Sequence, residues 1–100
     1  MAEITDQGDV KIEIVNSIAT IEFSHPKSNS LPGKVLSKLA NTIENAGNNN
    51  GIKVIILKSA GDRAFCAGAS FDELLSIDDI DTGKEFFMGF ARVINAARKC

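Results

Sequence analysis

From Val10 to Val15 apolar and charged side chains alternate. A half-buried strand is the element that puts every second residue on one face. Asn16-Ser17 marks a tight turn, and Ile18–Ser24 reads as the returning strand, with Ala19, Ile21 and Phe23 on one face and Thr20, Glu22 and Ser24 on the other. The pattern predicts a β-hairpin. His25–Ser30 reads as a loop, because Pro26 disfavours helical geometry in the residue before it. Pro32 suits the first turn of a helix, where its missing N–H costs nothing. Beyond it Val35, Leu36, Leu39, Ala40, Ile43 and Ala46 recur at helical spacing and form one apolar stripe. Gly47 is expected to end this helix in a left-handed cap.

Ile52–Lys58 is apolar on successive positions and rich in β-branched residues, which predicts a buried strand covered on both faces. Ser59–Gly68 reads as a loop turning at Gly61-Asp62. Ser70 with Glu73 fits a capping box at the head of a short helix, and Thr82 with Glu85 fits a second one. The long helix after Thr82 is expected to turn Phe86, Phe87, Phe90, Val93, Ile94 and Ala97 inward and to carry Arg98 and Lys99 favourably in its last turn. The order β, β, α, β, short α, long α predicts an α/β fold. Residues 1–9 are polar and expected to be flexible; residues 10–100 form the folded part.

Composition narrows the class. Of 100 residues 44% are hydrophobic and 24% charged, which argues against disorder. Eleven basic and thirteen acidic residues give a net charge of −2, without the basic surplus of a nucleic-acid binder. The apolar runs are far too short to span a membrane. The start, Met1–Asp6, lacks a secretory apolar core, so a cytoplasmic location is expected. Cys66 and Cys100 do not form a disulfide framework, and with His25 as the single histidine a metal site is not expected. His25 and Cys66 could pair as base and nucleophile, or Cys66 could pack as a small apolar residue.

Candidate chemistry concentrates in Arg63–Leu74. The segment follows a buried strand, is built from small residues and runs into a capped helix. Small side chains admit a ligand close to the backbone, and main-chain N–H groups around Gly68 and Ala69 could hold an anion or oxyanion. The competing reading is that Ala67-Gly68-Ala69 only permits tight helix–strand packing.

Phe65-Cys66-Ala67-Gly68-Ala69, followed by Ser70 and by Glu73-Leu74, resembles the central motif of the crotonase (enoyl-CoA hydratase/isomerase) superfamily. Ile18-Ala19-Thr20-Ile21, His25-Pro26-Lys27, Asn29-Ser30-Leu31 and the strand at Ile52–Lys58 are similar to upstream elements of that family, so the likeness runs from Val10 to Cys100. The resemblance implies a crotonase-like ββα spiral, here its N-terminal part, and an enzyme of acyl-CoA (fatty acid) metabolism. It implies that the backbone N–H of Ala69 stabilises a thioester enolate. Ala64, Phe65, Cys66, Ala67 and Gly68 would then cradle coenzyme A, Ser70, Phe71 and Asp72 would border the channel, and Lys27 would meet a CoA phosphate. It further implies a homo-oligomer, trimer or hexamer, with no cofactor beyond the coenzyme A of the substrate.

Two departures bear on this. Ser70 stands where the family usually has aspartate, and Asp72 where lysine is common. Asp72, Glu73, Asp78, Asp79 and Asp81 form an acidic stretch that reads as a solvated rim. Family members are much longer. A second oxyanion donor and the acid–base carboxylates are expected beyond Cys100, with these residues alone inactive and Val54–Leu57 and Phe86–Ile94 uncovered. Branches acting on carrier-protein-bound acyl groups stay open, as does a non-catalytic interaction module or pseudoenzyme.

Overall fold

The computed structural model describes residues 9–25, 31–62, 65–66 and 68–100, with backbone alone at 71 and 72. Strands β1 (Asp9–Val15) and β2 (Ile18–Ser24) lead to helix α1 (Gly33–Gly47), strand β3 (Val54–Ser59), short helix α2 (Phe71–Ser76) and long helix α3 (Ile80–Lys99). The strands form a three-stranded sheet in the order β1-β2-β3, with β1 antiparallel and β3 parallel to β2. The expected element order and mixed α/β class hold. The hairpin closes through Asn16 and Ser17, both left-handed at φ 54° and 68°, the backbone pair that a two-residue turn between right-twisted strands requires.

Register decides the two faces of the sheet. Val10, Ile12 and Ile14 lie opposite Phe23, Ile21 and Ala19, which in turn pair with Ser59, Leu57 and Ile55. The central trio Ala19, Ile21 and Phe23 is buried, and α1 lies over this face. On the other face Glu22 sits between Lys11 and Lys58, an alternation of charge that suits an exposed surface. β3 departs from expectation. It is an edge strand, with Val54 51% and Ile56 45% exposed, because no described element covers its outer face.

All of Val35, Leu36, Leu39, Ala40, Ile43 and Ala46 are buried, as their spacing predicts. Each large side chain among them contributes about 1.5–3 kcal/mol by leaving water. The ends of α1 differ from the sequence reading. Pro32 is the N-cap and supplies no side-chain acceptor, so the first helical residue is Gly33. The C-cap is Asn48 in right-handed geometry, its N–H reaching Glu44 O at 3.1 Å, so no left-handed residue is needed.

α3 packs along α1. Its seam is Phe86, Gly89, Phe90, Val93 and Ala96, whereas Phe87, Ile94 and Ala97 face outward. Gly89 explains the phase: a Cβ there would meet Leu36 Cδ1 at 3.1 Å, so the glycine sets how closely the helices approach. α3 also starts earlier than expected. Asp79 Oδ1 accepts the Thr82 N–H at 2.6 Å, so Thr82 lies within the first turn instead of capping it. Acidic Asp81 near the start and Arg98 and Lys99 near the end complement the helix dipole.

Candidate active site

Beyond β3 the chain turns at Gly61 (φ +82°) and reaches Phe65 and Cys66. Phe65 sets its ring edge-on to buried Phe23, with centroids 5.1 Å apart, and stays half exposed. Cys66 is partly buried against the core, and its sulfur accepts the Gly68 N–H at 3.3 Å. The sulfur thus serves as a small apolar residue and a local acceptor.

Gly68 takes φ +95°, a conformation that L side chains rarely adopt. A Cβ at this position would meet nothing within 4 Å. Backbone conformation, not close packing, is therefore what selects glycine here. That observation counts against the packing-only reading of the small-residue run.

Ala69 forms an isolated parallel bridge with Leu31. The Leu31 N–H donates to Gly68 O at 2.8 Å, and the Ser70 N–H donates to Leu31 O at 3.1 Å. In parallel pairing the residue between these partners directs its own N–H to the opposite side. No acceptor among the described residues takes the Ala69 N–H. Ser70 is buried, with its N–H in the bridge and its hydroxyl oxygen accepting the Glu73 N–H at 3.3 Å. The capping box is thus half formed, because the Glu73 carboxylate goes elsewhere: its Oε1 accepts the Gly33 N–H at 2.6 Å.

Of the expected site residues, the structure gathers Phe65, Cys66, Gly68, Ala69 and Ser70 on one loop, with Phe71 and Asp72 opening α2. Lys27, Ala64 and Ala67 lie outside the described residues, as do the side chains of Phe71 and Asp72. Sequence reasoning missed Leu31 as the partner of Ala69 and Gly33 as the partner of Glu73. The available signal was Pro32, which leaves the α1 donors without a local cap. The acidic stretch divides: Asp78, Asp79 and Asp81 are exposed, Asp79 serves α3, and Glu73 lines an open cleft of about 490 Å³ with Gly33, Thr82 and Phe86. Hydrogen bonds from Thr82 hold the Asp79 carboxyl below the usual aspartate value. Among the described residues no group of three or more His, Cys, Asp or Glu could hold a metal ion, and no helix is long and apolar enough to cross a membrane.

The sequence matches the enoyl-CoA hydratase/isomerase family over residues 13–97. The chain belongs to that family. The fold agrees with solved structures. DspI of Pseudomonas aeruginosa superposes at a TM-score of 0.80 and 24% identity, over 89% of this chain and 36% of its own. An enoyl-CoA hydratase/carnithine racemase from Magnetospirillum magneticum gives 0.81 and 22%, over 94% of this chain and 37% of its own. An enoyl-CoA hydratase from Bacillus halodurans gives 0.78 and 23%, over 87% and 36%. At these identities the structures establish the fold alone. The chain spans little more than a third of their length. No curated protein matches the chain in sequence.

Proposed function

We propose that this chain contributes the first oxyanion donor of an enzyme that hydrates or isomerises an acyl-CoA thioester. The observation that carries the reading is the direction of the Ala69 N–H: the bridge to Leu31 uses the groups on either side and leaves this donor to a ligand. A thioester carbonyl seated there gains most when its oxygen becomes an enolate, since the hydrogen bond strengthens as charge develops. One such donor is worth roughly 2.7–4 kcal/mol of transition-state stabilisation. Gly68 sets the peptide plane that aims it. The half-exposed ring of Phe65 offers an apolar wall for the acyl or pantetheine part, and Ala64, Cys66, Ala67, Ser70, Phe71, Asp72 and Lys27 are assigned to the same channel by family likeness.

Acid–base work falls to other groups of the whole protein. Glu73 is engaged with Gly33, and Glu85 with Arg92 at 3.0 Å on the exposed side of α3. The proposal includes no cofactor beyond coenzyme A in the substrate, a cytoplasmic location and a trimeric or hexameric assembly.

Because the donor is main chain, the test is to replace the Gly68–Ala69 amide by an ester in the whole protein. The Ala69 donor is lost and the Gly68 carbonyl becomes a weaker acceptor for the Leu31 N–H, while the bond from the Ser70 N–H to Leu31 O is kept. Turnover of crotonyl-CoA is expected to fall about 10²–10³-fold with KM little changed. An unchanged kcat would refute the assignment.

A further inference from the structure

Two bridge hydrogen bonds hold Gly68–Ser70 to Leu31, and Ala69 packs against the core. Together they set separation and register. Gly68, with its permissive torsions, leaves the tilt of the following peptide plane to be fixed by further restraints. The structure provides one. The Glu73 side chain reaches from α2 to the head of α1, where Oε1 accepts the Gly33 N–H at 2.6 Å across 40 residues of sequence. Gly33 follows Leu31 by two positions, and Glu73 is tied back to Ser70 through its own N–H. The result is a closed ring: Leu31 to Gly33 along the chain, Gly33 to Glu73, Glu73 to Ser70, and Ser70 to Leu31. Ala69 lies on its edge.

Both partners have reason to hold this bond. Pro32 offers no capping side chain, and α1 has no acidic residue in its first turn, so the Glu73 carboxylate supplies the acceptor and the negative charge that the helix head lacks. Among the described residues Gly33 is the only donor to that carboxylate. The bond is partly buried, on the wall of the cleft beside α3, so its geometry is not averaged out as at a free surface.

We infer that Glu73 is a positioning residue that, through Gly33, fixes the direction in which the Ala69 N–H points at the thioester carbonyl. The inference rests on the reading of Ala69 given above and assigns Glu73 a role in aim, not in proton transfer. A misdirected donor weakens transition-state binding more than ground-state binding, so the loss falls on kcat.

The test uses the whole protein with cinnamoyl-CoA as a chromophoric probe, since hydrogen bonding to the carbonyl of a conjugated thioester moves its absorption to longer wavelength. The wild type is expected to give the red shift. Glu73→Ala should lose most of it, with kcat on crotonyl-CoA down about 10- to 100-fold and KM little changed. Glu73→Gln, which keeps an oxygen acceptor for Gly33, should restore most of both. Gly33→Ala leaves Glu73 in place and crowds its Oε2, since the new Cβ would lie 3.2 Å away, so it should give a partial loss. A full red shift and full kcat in Glu73→Ala would overturn the inference. An unchanged Gly33→Ala would do the same should Glu73→Ala not fold, and so would a Glu73→Gln as impaired as Glu73→Ala. A wild type with no red shift would instead remove the reading of Ala69, and the inference with it.

Discussion

Gly68 is the residue on which the geometry of the loop turns. Its φ of +95° lets Cys66 fold back so that its sulfur takes the Gly68 N–H, while the Gly68 carbonyl reaches Leu31. Alanine in that conformation costs about 1–2 kcal/mol of backbone strain. Since a Cβ there meets nothing within 4 Å, the cost is conformational and not steric crowding. Gly68→Ala is therefore expected to lower stability by that amount and to lower turnover, by no more than the roughly 10²–10³-fold that loss of the donor itself would give, as measured by denaturant unfolding and by activity of the whole protein. Equal activity in Gly68→Ala and wild type would show that the left-handed turn does not aim Ala69.

α1 was legible from its own sequence because its buried stripe is a property of one helix: Val35 through Ala46 recur with the helical period and all are buried. α3 was legible only in outline. Its apolar arc is broader than one face, and Gly89, which sets the approach to Leu36, carries no hydrophobic signal. Thus the sequence pattern turns Phe87, Ile94 and Ala97 inward, whereas the helix buries Ala96 instead. Its start lies earlier than the Thr82 box predicts, because the Asp79 carboxylate accepts the Thr82 N–H. That cap makes a pH prediction. The Asp79 carboxyl titrates below 3.8 in the folded chain, chiefly through the Thr82 N–H, so the native state binds fewer protons than the unfolded chain in acid. Its stabilisation is complete above the unfolded value of 3.8 and is lost as pH falls through the lower folded value. Asp9, held low by Lys38 at 2.7 Å, adds to the same slope. Asp79→Asn keeps an acceptor but cannot titrate there. Thermal melts between pH 5 and pH 2 should show a shallower acid decline for the variant, and an identical decline would contradict the assignment.

In the whole molecule the described elements bury a core between the sheet, α1 and α3 while leaving apolar residues on two flanks: Val54, Ile56 and Leu57 on β3, and Phe87, Met88 and Ile94 on α3. The resemblance to a longer family implies such uncovered stretches, whereas patterning alone predicts β3 covered on both faces. The loop and its main-chain donor were legible as a motif, Phe65 through Ala69. The ring that holds the donor was not, because Leu31, Gly33, Ser70 and Glu73 meet only when residues 40 positions apart in sequence fold together. In the function proposed above, that ring holds the Ala69 N–H ready for a thioester oxygen. The decisive measurement is the amide proton shift of Ala69 in isotope-labelled whole protein, titrated in parallel with butyryl-CoA and with coenzyme A alone. A downfield movement of Ala69 is expected with butyryl-CoA and not with free coenzyme A. An Ala69 resonance that stays in place while butyryl-CoA binds, or that moves equally with both, would contradict it.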